Sequence, residues 1–219
     1  MAKGSRGGKR SGSGAFTKNQ KEAIEYYASG DGMFINNHLR ERNGMTINDL
    51  TPQDKQFMKD LDDALDKRLN EQILYRSVDA SAVFGNMESM EFEQLRGELL
   101  YNEFSSAKGA YSQGIARQVQ NKINSATGKT ITDKGYVSTT RDATIAENFG
   151  GYTGSSNPIV MKIKTSKNTK GADISKATKR LSEIEKNDPQ KETLLARNQK
   201  YKINKIYSKN GQIYVDVEM

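Results

Sequence analysis

The residues with the clearest capacity for chemistry stand beside three predicted strands. They are Arg76, the hydroxyl run Ser138, Thr139 and Thr140, and the pair Gln190 and Glu192. Polar groups that interrupt apolar strands far apart in the sequence indicate one shared cleft. Because strand residues i and i+2 lie on the same side of a sheet, about 6.6 Å apart, we predict that Gln190 and Glu192 both face this cleft. There an arginine can bind phosphate groups through its planar fork, and a glutamine can pair with an amide.

Each of these features has an ordinary interpretation when it is taken alone. Arg76 is typical of a surface ion pair, and a Ser-Thr-Thr run is typical of a helix cap. A second acidic pair, Glu183 and Glu185, has the same spacing as the Gln190 and Glu192 pair. It lies within "KRLSEIEKN", which has the pattern of a solvated helix with no strand directly after it. We therefore favour Glu192 as the functional carboxylate.

Several classes of site are excluded by what the sequence lacks. The chain has no cysteine and a single histidine, His38, so disulfides, thiolate chemistry, a histidine-based triad and a histidine-rich metal site are not expected. No metal-ligand spacing occurs. The stretch "ATGKT" resembles a P-loop, but position 123 is Ile where that motif needs glycine. We expect no metal in the mechanism.

The composition predicts one domain with a modest core. Of 219 residues, 34% are hydrophobic and 28% charged, and the net charge is +7. Residues 1–14, rich in Gly, Ser and basic side chains, are predicted to be a disordered tail that can contact phosphates or an acidic partner. No apolar run approaches the roughly 18 residues of a membrane span, and the N-terminus has no apolar signal core. We therefore expect no membrane association, no signal peptide and a cytoplasmic location.

The helices that must support the cleft are predicted mainly in the first half of the chain. Thr17 and Gln20 form a capping-box pattern, and a second helix is expected near Met33. Thr51 and Pro52 open a further helix, whose apolar stripe consists of Phe57, Leu61, Leu65 and Leu69. Residues 79–127 have a largely helical pattern.

Short strands are predicted for most of the remaining chain. We predict strands at 72–78 and 158–165, a turn followed by one strand in 128–140, and a hairpin turning at Asn210 and Gly211. Between them, "RDATIAENFGG" is predicted as a helix closed by its glycines, and residues 166–189 as a connector that is helical from 174 to 184. This order indicates an α+β fold.

At this point the sequence resembles the mono-ADP-ribosyltransferases of the bacterial toxin type, which carry an Arg, Ser-Thr-Ser, Glu-x-Glu signature. The three elements here are "LYRSV", "TGKTITDKGYVSTTRDATIAENFGG" and "QKETLLARNQKYKI". In the middle element, the matching residues are Asp133, Lys134, Gly135, Tyr136, Ser138, Thr139, Ala146 and Phe149. The stretch "AIEYYASGDGMFINNHLR" is similar to the helical start of these domains. The resemblance covers residues 15–219 and departs from the pattern at Thr140, where the family has serine.

The resemblance implies a fold and a domain division. We expect N-terminal helices packed on a mixed, mainly antiparallel β-sandwich core. Residues 15–219 would form one ADP-ribosyltransferase domain, with a helical subregion at 15–71 and an NAD-binding β core at 72–219.

The resemblance also implies a reaction, in which the bond between nicotinamide and ribose of the co-substrate NAD is broken. Positive charge then develops on the ribose, as in glycoside hydrolysis, and the implied catalytic residues are Glu192, Gln190 and Ser138. Glu192 would contact the ribose, Ser138 would orient Glu192, and Gln190 would face the acceptor. The implied NAD-binding residues are Arg76, Tyr75, Ser138, Thr139, Thr140, Phe149 and Gly150.

Gln190 stands where the family pattern divides. Members with glutamic acid there tend to modify arginine, whereas members with glutamine include enzymes that modify asparagine or nucleobases. We therefore expect a macromolecular acceptor in a host cytoplasm, with protein favoured over nucleic acid, and a monomeric phage or bacterial effector. Two alternatives remain open: an NAD glycohydrolase that uses the same site, and a basic nucleic-acid-binding or virion structural protein.

Overall fold

The computed structural model describes residues 15–104, 112–152, 155–187 and 189–219, with the backbone alone at 150–152. The predicted basic tail at 1–14 lies outside these residues. The α-helices described are α1 (Lys18–Tyr26), α2 (Gly32–Leu39), α3 (Pro52–Leu65), α4 (Ser81–Phe84), α5 (Ser89–Phe104), α6 (Gln113–Ala126), α7 (Ala143–Tyr152) and α8 (Lys179–Asn187). The strands are β1 (Ile73–Asp79), β2 (Thr130–Asp133), β3 (Val137–Thr140), β4 (Pro158–Lys164), β5 (Gly171–Asp173), β6 (Glu192–Leu195), β7 (Gln199–Lys209) and β8 (Gln212–Glu218). Within the described ranges, no helix has the length and apolar character needed to span a membrane.

The strands form one eight-stranded sheet in the order β2-β7-β8-β4-β1-β3-β6-β5. The pair β4 and β8 is parallel and the other pairs are antiparallel. Strands β1 and β3 meet in a single residue pair, Tyr75 opposite Thr140. The sheet is therefore almost divided between β1 and β3 into a five-stranded part (β2-β7-β8-β4-β1) and a three-stranded part (β3-β6-β5). The predicted α+β class with a mixed, mainly antiparallel sheet is confirmed.

Strand β6 lies between the two main hydrophobic clusters of the protein. Leu195 packs into the cluster that includes residues of α5, α6, β4, β7 and β8. Its neighbour Leu194 packs into the cluster that includes residues of α1, α2 and α3. Both leucines are fully buried, and successive strand residues face opposite sides. A one-residue slip of β6 would exchange the two faces, so the double burial fixes the position of Glu192 at the start of the strand.

The N-terminal helices bring aromatic and amide side chains towards β3. Thr17 and Gln20 form the predicted capping box at the start of α1. A π-helical turn over Tyr27–Asp31, with Gly30 at φ 109°, joins α1 to α2. Tyr27 of this turn and Asn36 of α2 are hydrogen-bonded to each other, and they contact Ser138 and Tyr136 at β3.

The predicted apolar stripe of α3 is wrong at its last member. The helix ends at Leu65, and Leu69 packs against the other hydrophobic cluster. Beyond the helix the backbone pairs with the segment that enters β5, since Leu69 N–H donates to the Thr169 carbonyl at 2.9 Å. This pairing replaces a further helical turn.

Two predictions for the strands also need correction. The single strand predicted in 128–140 is two strands, with β2 paired to β7 and β3 paired to β1 and β6. The connector predicted over 166–189 contains β5, and its helix is α8 at Lys179–Asn187 rather than 174–184. The hairpin is confirmed, because Asn210 and Gly211 have φ of 51° and 80°, as a type I′ turn requires.

Helix α7 continues past the glycines that were predicted to close it. Gly150 and Gly151 lie inside the helix, which ends at Tyr152. Glycine costs about 1 kcal/mol in a helix. The helix packs on β1, β3 and β4, and we attribute its extension to this packing.

Candidate active site

The pairing of β3 with β6 brings Ser138 and Glu192 together. Thr140 is opposite Glu192 and Ser138 is opposite Leu194, so the two functional side chains are diagonal neighbours on one face. Ser138 Oγ donates a hydrogen bond to Glu192 Oε1 at 2.8 Å. A strand-borne hydroxyl therefore fixes the orientation of the carboxylate that sequence analysis singled out.

The Glu192 carboxyl is half-buried, and its surroundings oppose ionisation. Burial raises its pKa above the usual range, the hydrogen bond from Ser138 lowers it, and the negative charge of Glu185 raises it again. The net direction is upward. A carboxylate that ionises in a partly dry cleft is poorly solvated, so it can interact strongly with a positive charge that develops beside it.

A network that sequence analysis did not identify supports Ser138 from the helical side. The Tyr27 hydroxyl lies 3.5 Å from Ser138 Oγ and accepts a hydrogen bond from Asn36 Nδ2 at 3.1 Å. Asn36 also bonds both backbone groups of Tyr136, accepting from N–H at 2.8 Å and donating to the carbonyl at 3.2 Å. The signal available in the sequence was the stretch "AIEYYASGDGMFINNHLR", which was interpreted only as helices. No local pattern in that stretch identifies Asn36, because its burial is a property of the folded protein.

Arg76 lies on β1, the strand of the five-stranded part that is next to β3. Arg76 Nη1 is 3.9 Å from Asp133 Oδ2, but Asp133 is held more closely by Arg40, at 2.7 and 3.0 Å. Arg76 Nη1 is buried without a hydrogen-bond partner among the described residues, and so is the Tyr201 hydroxyl. A buried guanidinium nitrogen without an acceptor indicates a place for an anionic ligand.

Gln190 is not part of β6, contrary to the expectation that it would share a strand face with Glu192. Strand β6 begins at Glu192, and Lys191 has a left-handed backbone with φ of 50°. A non-glycine residue in this conformation costs about 1 kcal/mol. The left-handed residue turns the chain, and Gln190 and Glu192 line the same cavity even so. The strand-alternation argument was therefore wrong, although the predicted juxtaposition is present.

Three side chains hold the chain at Gln190 and Lys191, a segment that we call the Gln190 turn. Glu185 Oε2 accepts from Gln190 N–H and from Lys191 N–H, both at 2.9 Å. Thr140 Oγ1 donates to the Gln190 carbonyl at 2.7 Å. Lys191 Nζ donates to Asp142 Oδ2 at 2.9 Å. The backbone of Gln190 is thus bound at both its N–H and its carbonyl.

A cavity of about 210 Å³ includes Arg76, Ser138, Gln190 and Glu192 in its lining. Tyr75 and Phe149 also line it. Tyr75 packs against the small cluster of Ala146, Val160 and Tyr214 and so supports α7, whereas Phe149 is 48% exposed. Gly150 follows Phe149 in α7.

Thr139 and Thr140 differ from Ser138 in what their hydroxyls do. Thr139 Oγ1 donates to the Thr193 carbonyl at 2.6 Å, and Thr140 Oγ1 donates to the Gln190 carbonyl. Both side chains are buried and join β3 to the β6 segment. Their hydroxyl protons are therefore already engaged by the protein.

The second acidic pair does not form a site of its own. Glu183 is exposed and lies 3.9 Å from Lys179 in the same helix, whereas Glu185 holds the Gln190 turn. The described residues contain no group of three or more acidic, histidine or cysteine side chains that could hold a metal ion. A wider depression of about 480 Å³, lined by Tyr27, Asn36 and Arg40, shares Arg76, Ser138 and Glu192 with the first cavity. Together they provide a cleft that is lined by Glu192 and by Arg76, whose Nη1 has no hydrogen-bond partner among the described residues.

Comparison with known families agrees with this arrangement. The family model described as "ADP-ribosyltransferase exoenzyme" matches residues 8–219. The chain belongs to the ADP-ribosyltransferase exoenzyme family. A search of curated proteins gives no significant match.

Solved structures of this family share the fold of the present transferase. A C3-type ADP-ribosyltransferase from Clostridium botulinum is 25% identical, with a TM-score of 0.62 over 93% of this chain and 87% of that one. The C3 exoenzyme of Clostridium limosum is 21% identical, with a TM-score of 0.61 over 93% and 85%. A C3-type protein from S. aureus, determined with NAD, is 21% identical, with a TM-score of 0.62 over 93% and 87%. At 21% identity, the last two similarities show the fold alone.

Family membership confirms the predicted enzyme class. The protein is an NAD-dependent mono-ADP-ribosyltransferase, which transfers ADP-ribose from its co-substrate NAD to a macromolecular acceptor and releases nicotinamide. The alternative of a basic nucleic-acid-binding or virion structural protein is not favoured. The unsatisfied nitrogen of Arg76 and the carboxylate of Glu192, in one cleft, fit a co-substrate with a pyrophosphate and a ribose.

Proposed function

We propose that Glu192 stabilises the ribose cation of the transition state, that Ser138 orients Glu192, and that Arg76 binds the NAD pyrophosphate. The observation that carries this proposal is the hydrogen bond of 2.8 Å from Ser138 Oγ to a half-buried carboxylate in the cleft. The C–N bond between ribose and nicotinamide breaks, and its electron pair leaves with nicotinamide. The acceptor nucleophile then forms the new bond to the ribose carbon and loses its proton to solvent.

The other predicted site residues have supporting roles in this proposal. Thr139 and Thr140 support the pairing of β3 with β6, and Tyr75, Phe149 and Gly150 complete the walls of the NAD-binding cleft.

We also propose that the acceptor is a protein side chain and that Gln190 receives it. Gln190 lines the cavity next to Glu192, and its neutral amide can donate to and accept from an acceptor amide. It offers no charge to a guanidinium, so an arginine acceptor is disfavoured. We further propose that the enzyme acts as a monomer and that it acts in a host cytoplasm.

Glu192→Gln tests the assignment of the carboxylate. It should lower nicotinamide release from NAD by a few hundred-fold, as loss of one electrostatic contact to a transition state does. Glu183→Gln is the matched control, because it removes an exposed carboxylate nine residues away on the helix next to the turn, and it should leave the rate unchanged. Loss of activity in Glu183→Gln with retention in Glu192→Gln would overturn the assignment.

The acceptor class is tested by labelling host lysate with tagged NAD. The label should be sensitive to protease and resistant to nuclease, and mass spectrometry should locate it on side chains other than arginine. Agmatine, a free guanidinium compound, should not become ADP-ribosylated. Nuclease-sensitive label, or efficient transfer to agmatine, would refute this part of the proposal. Nicotinamide release that lysate leaves unchanged, with no label in any macromolecule, would indicate an NAD glycohydrolase instead.

A further inference from the structure

Glu185 is the charged side chain that touches the turn between α8 and β6 at two points. Its Oε2 atom accepts from the N–H groups of Gln190 and Lys191, both at 2.9 Å. Both donors belong to the segment that precedes the catalytic strand. A single carboxylate oxygen thus binds the two peptide groups that flank the α-carbon of Gln190.

The location of Glu185 is unfavourable for the helix that carries it. Glu185 lies two residues before the last residue of α8, Asn187. The C-terminal end of a helix carries partial negative charge, so a carboxylate there is disfavoured by the helix itself. The two backbone donors compensate for this, and they offset the left-handed conformation of Lys191, whose φ is 50°. The side chain therefore serves the turn rather than the helix.

Helix periodicity directs Glu185 inwards and Glu183 outwards. Glu185 follows the buried Leu181 by four residues, so both are on one face of α8. That face lines the wide part of the cleft, together with Gln190 and Glu192. Glu183 is exposed. Two carboxylates in the same helix, two residues apart, thus have different environments.

We propose that Glu185 is a positioning residue that holds Gln190 against the acceptor and so determines whether ADP-ribose passes to the acceptor or to water. Glu192 does not depend on Glu185 for its place, because β6 is fixed by the burial of Leu194 and Leu195 on opposite faces. Loss of Glu185 should therefore release the acceptor-facing residue while the NAD-cleaving residue stays in position. The inference rests on the proposed function of Gln190.

Rates of two reactions separate this role from a general structural one. Transfer is measured as labelling of host lysate by tagged NAD, and hydrolysis as nicotinamide release by the purified protein alone. Glu185→Ala should lower transfer by about 100-fold, as a displacement of about 1 Å at a reacting group does. It should lower hydrolysis by about 10-fold at most. Glu185→Gln, which keeps an oxygen acceptor of the same reach, should recover part of the transfer rate. Glu183→Ala should change neither rate.

A double-mutant cycle tests whether Glu185 affects the transfer rate through Gln190. If Glu185 acts through Gln190, Glu185→Ala should cause no further loss of transfer in a Gln190→Ala background. Additive losses would overturn the inference, as would equal falls in transfer and hydrolysis, or unchanged transfer in Glu185→Ala. Should Glu185→Ala fail to fold, as judged by circular dichroism, the same comparisons are made with Glu185→Gln, whose expected loss is smaller but confined to transfer.

The outcome for Gln190→Ala alone separates this inference from the proposal on which it rests. If Gln190→Ala lowers transfer and hydrolysis equally, the proposed acceptor role of Gln190 is refuted and the inference falls with it. If Gln190→Ala lowers transfer selectively and Glu185→Ala does not, only the role of Glu185 is refuted.

Discussion

The Ser138 and Glu192 pair and the Gln190 turn are adjacent in the cleft, but they are fixed by different means. Glu192 begins a strand whose leucines are buried on both faces, and its carboxylate is bound by a residue of the neighbouring strand. The backbone of Gln190 is held by the side chains of Glu185 and Thr140. Packing thus fixes the group that we assign to NAD cleavage, and polar contacts fix the group that we assign to the acceptor. In this arrangement, acceptor choice can change without loss of the cleavage site.

The largest expected effect within the packed region is on stability. Leu194→Ala should lower the free energy of unfolding by about 2–5 kcal/mol, because it leaves a cavity in a fully buried position. Ile184→Ala, at a partly exposed position beside the cleft, should change it by less than about 0.5 kcal/mol. Denaturant unfolding measures both. Equal effects would show that β6 is not fixed by its buried leucines.

The next prediction uses the pH dependence of nicotinamide release to test whether the Ser138 hydroxyl controls the pKa of the Glu192 carboxyl. Ser138→Ala removes the hydrogen bond that lowers the pKa of Glu192, so that pKa should rise further. The acid limb of the pH profile for nicotinamide release should then move to higher pH, since Glu192 must be ionised to act. An unmoved acid limb would show that Ser138 does not control the carboxylate.

The third effect concerns the cost of keeping Glu192 charged. Its pKa is raised in the folded protein, so the folded state binds the proton more tightly than the unfolded state, and stability falls as pH rises through that window. Glu192→Gln should therefore raise the melting temperature at neutral pH. The gain should vanish below the usual glutamate pKa of about 4.3, where both states are protonated. A lower melting temperature of Glu192→Gln at neutral pH would contradict this account.

The smallest expected effect is at the polar support of the turn. Thr140→Val removes the hydrogen bond to the Gln190 carbonyl and should cost about 1 kcal/mol of stability. Transfer to lysate should fall more than nicotinamide release does. Thr140→Ser, which keeps the hydroxyl, is the control and should preserve the ratio of the two rates. If Thr140→Val lowers both rates equally, the two regions are coupled more closely than we describe.

Much of the site could be predicted from sequence because its elements are local and periodic. The strands that carry Arg76, Ser138 and Glu192, and the turn at Asn210, depend on short-range patterns of apolar and turn residues. The place of Gln190 could not be predicted correctly, because the left-handed Lys191 is stabilised by Glu185 from another element. Tyr27 was missed for a similar reason: its contact with Ser138 joins residues that are 111 positions apart, a relation that no local pattern records.

The most direct measurement is a crystal structure of the protein with NAD bound. We predict that a Glu192 carboxylate oxygen will lie within hydrogen-bond distance of a hydroxyl of the nicotinamide ribose, with the Arg76 guanidinium at the pyrophosphate and the Gln190 amide facing the opening. A ribose remote from Glu192 and a pyrophosphate remote from Arg76 would contradict the account.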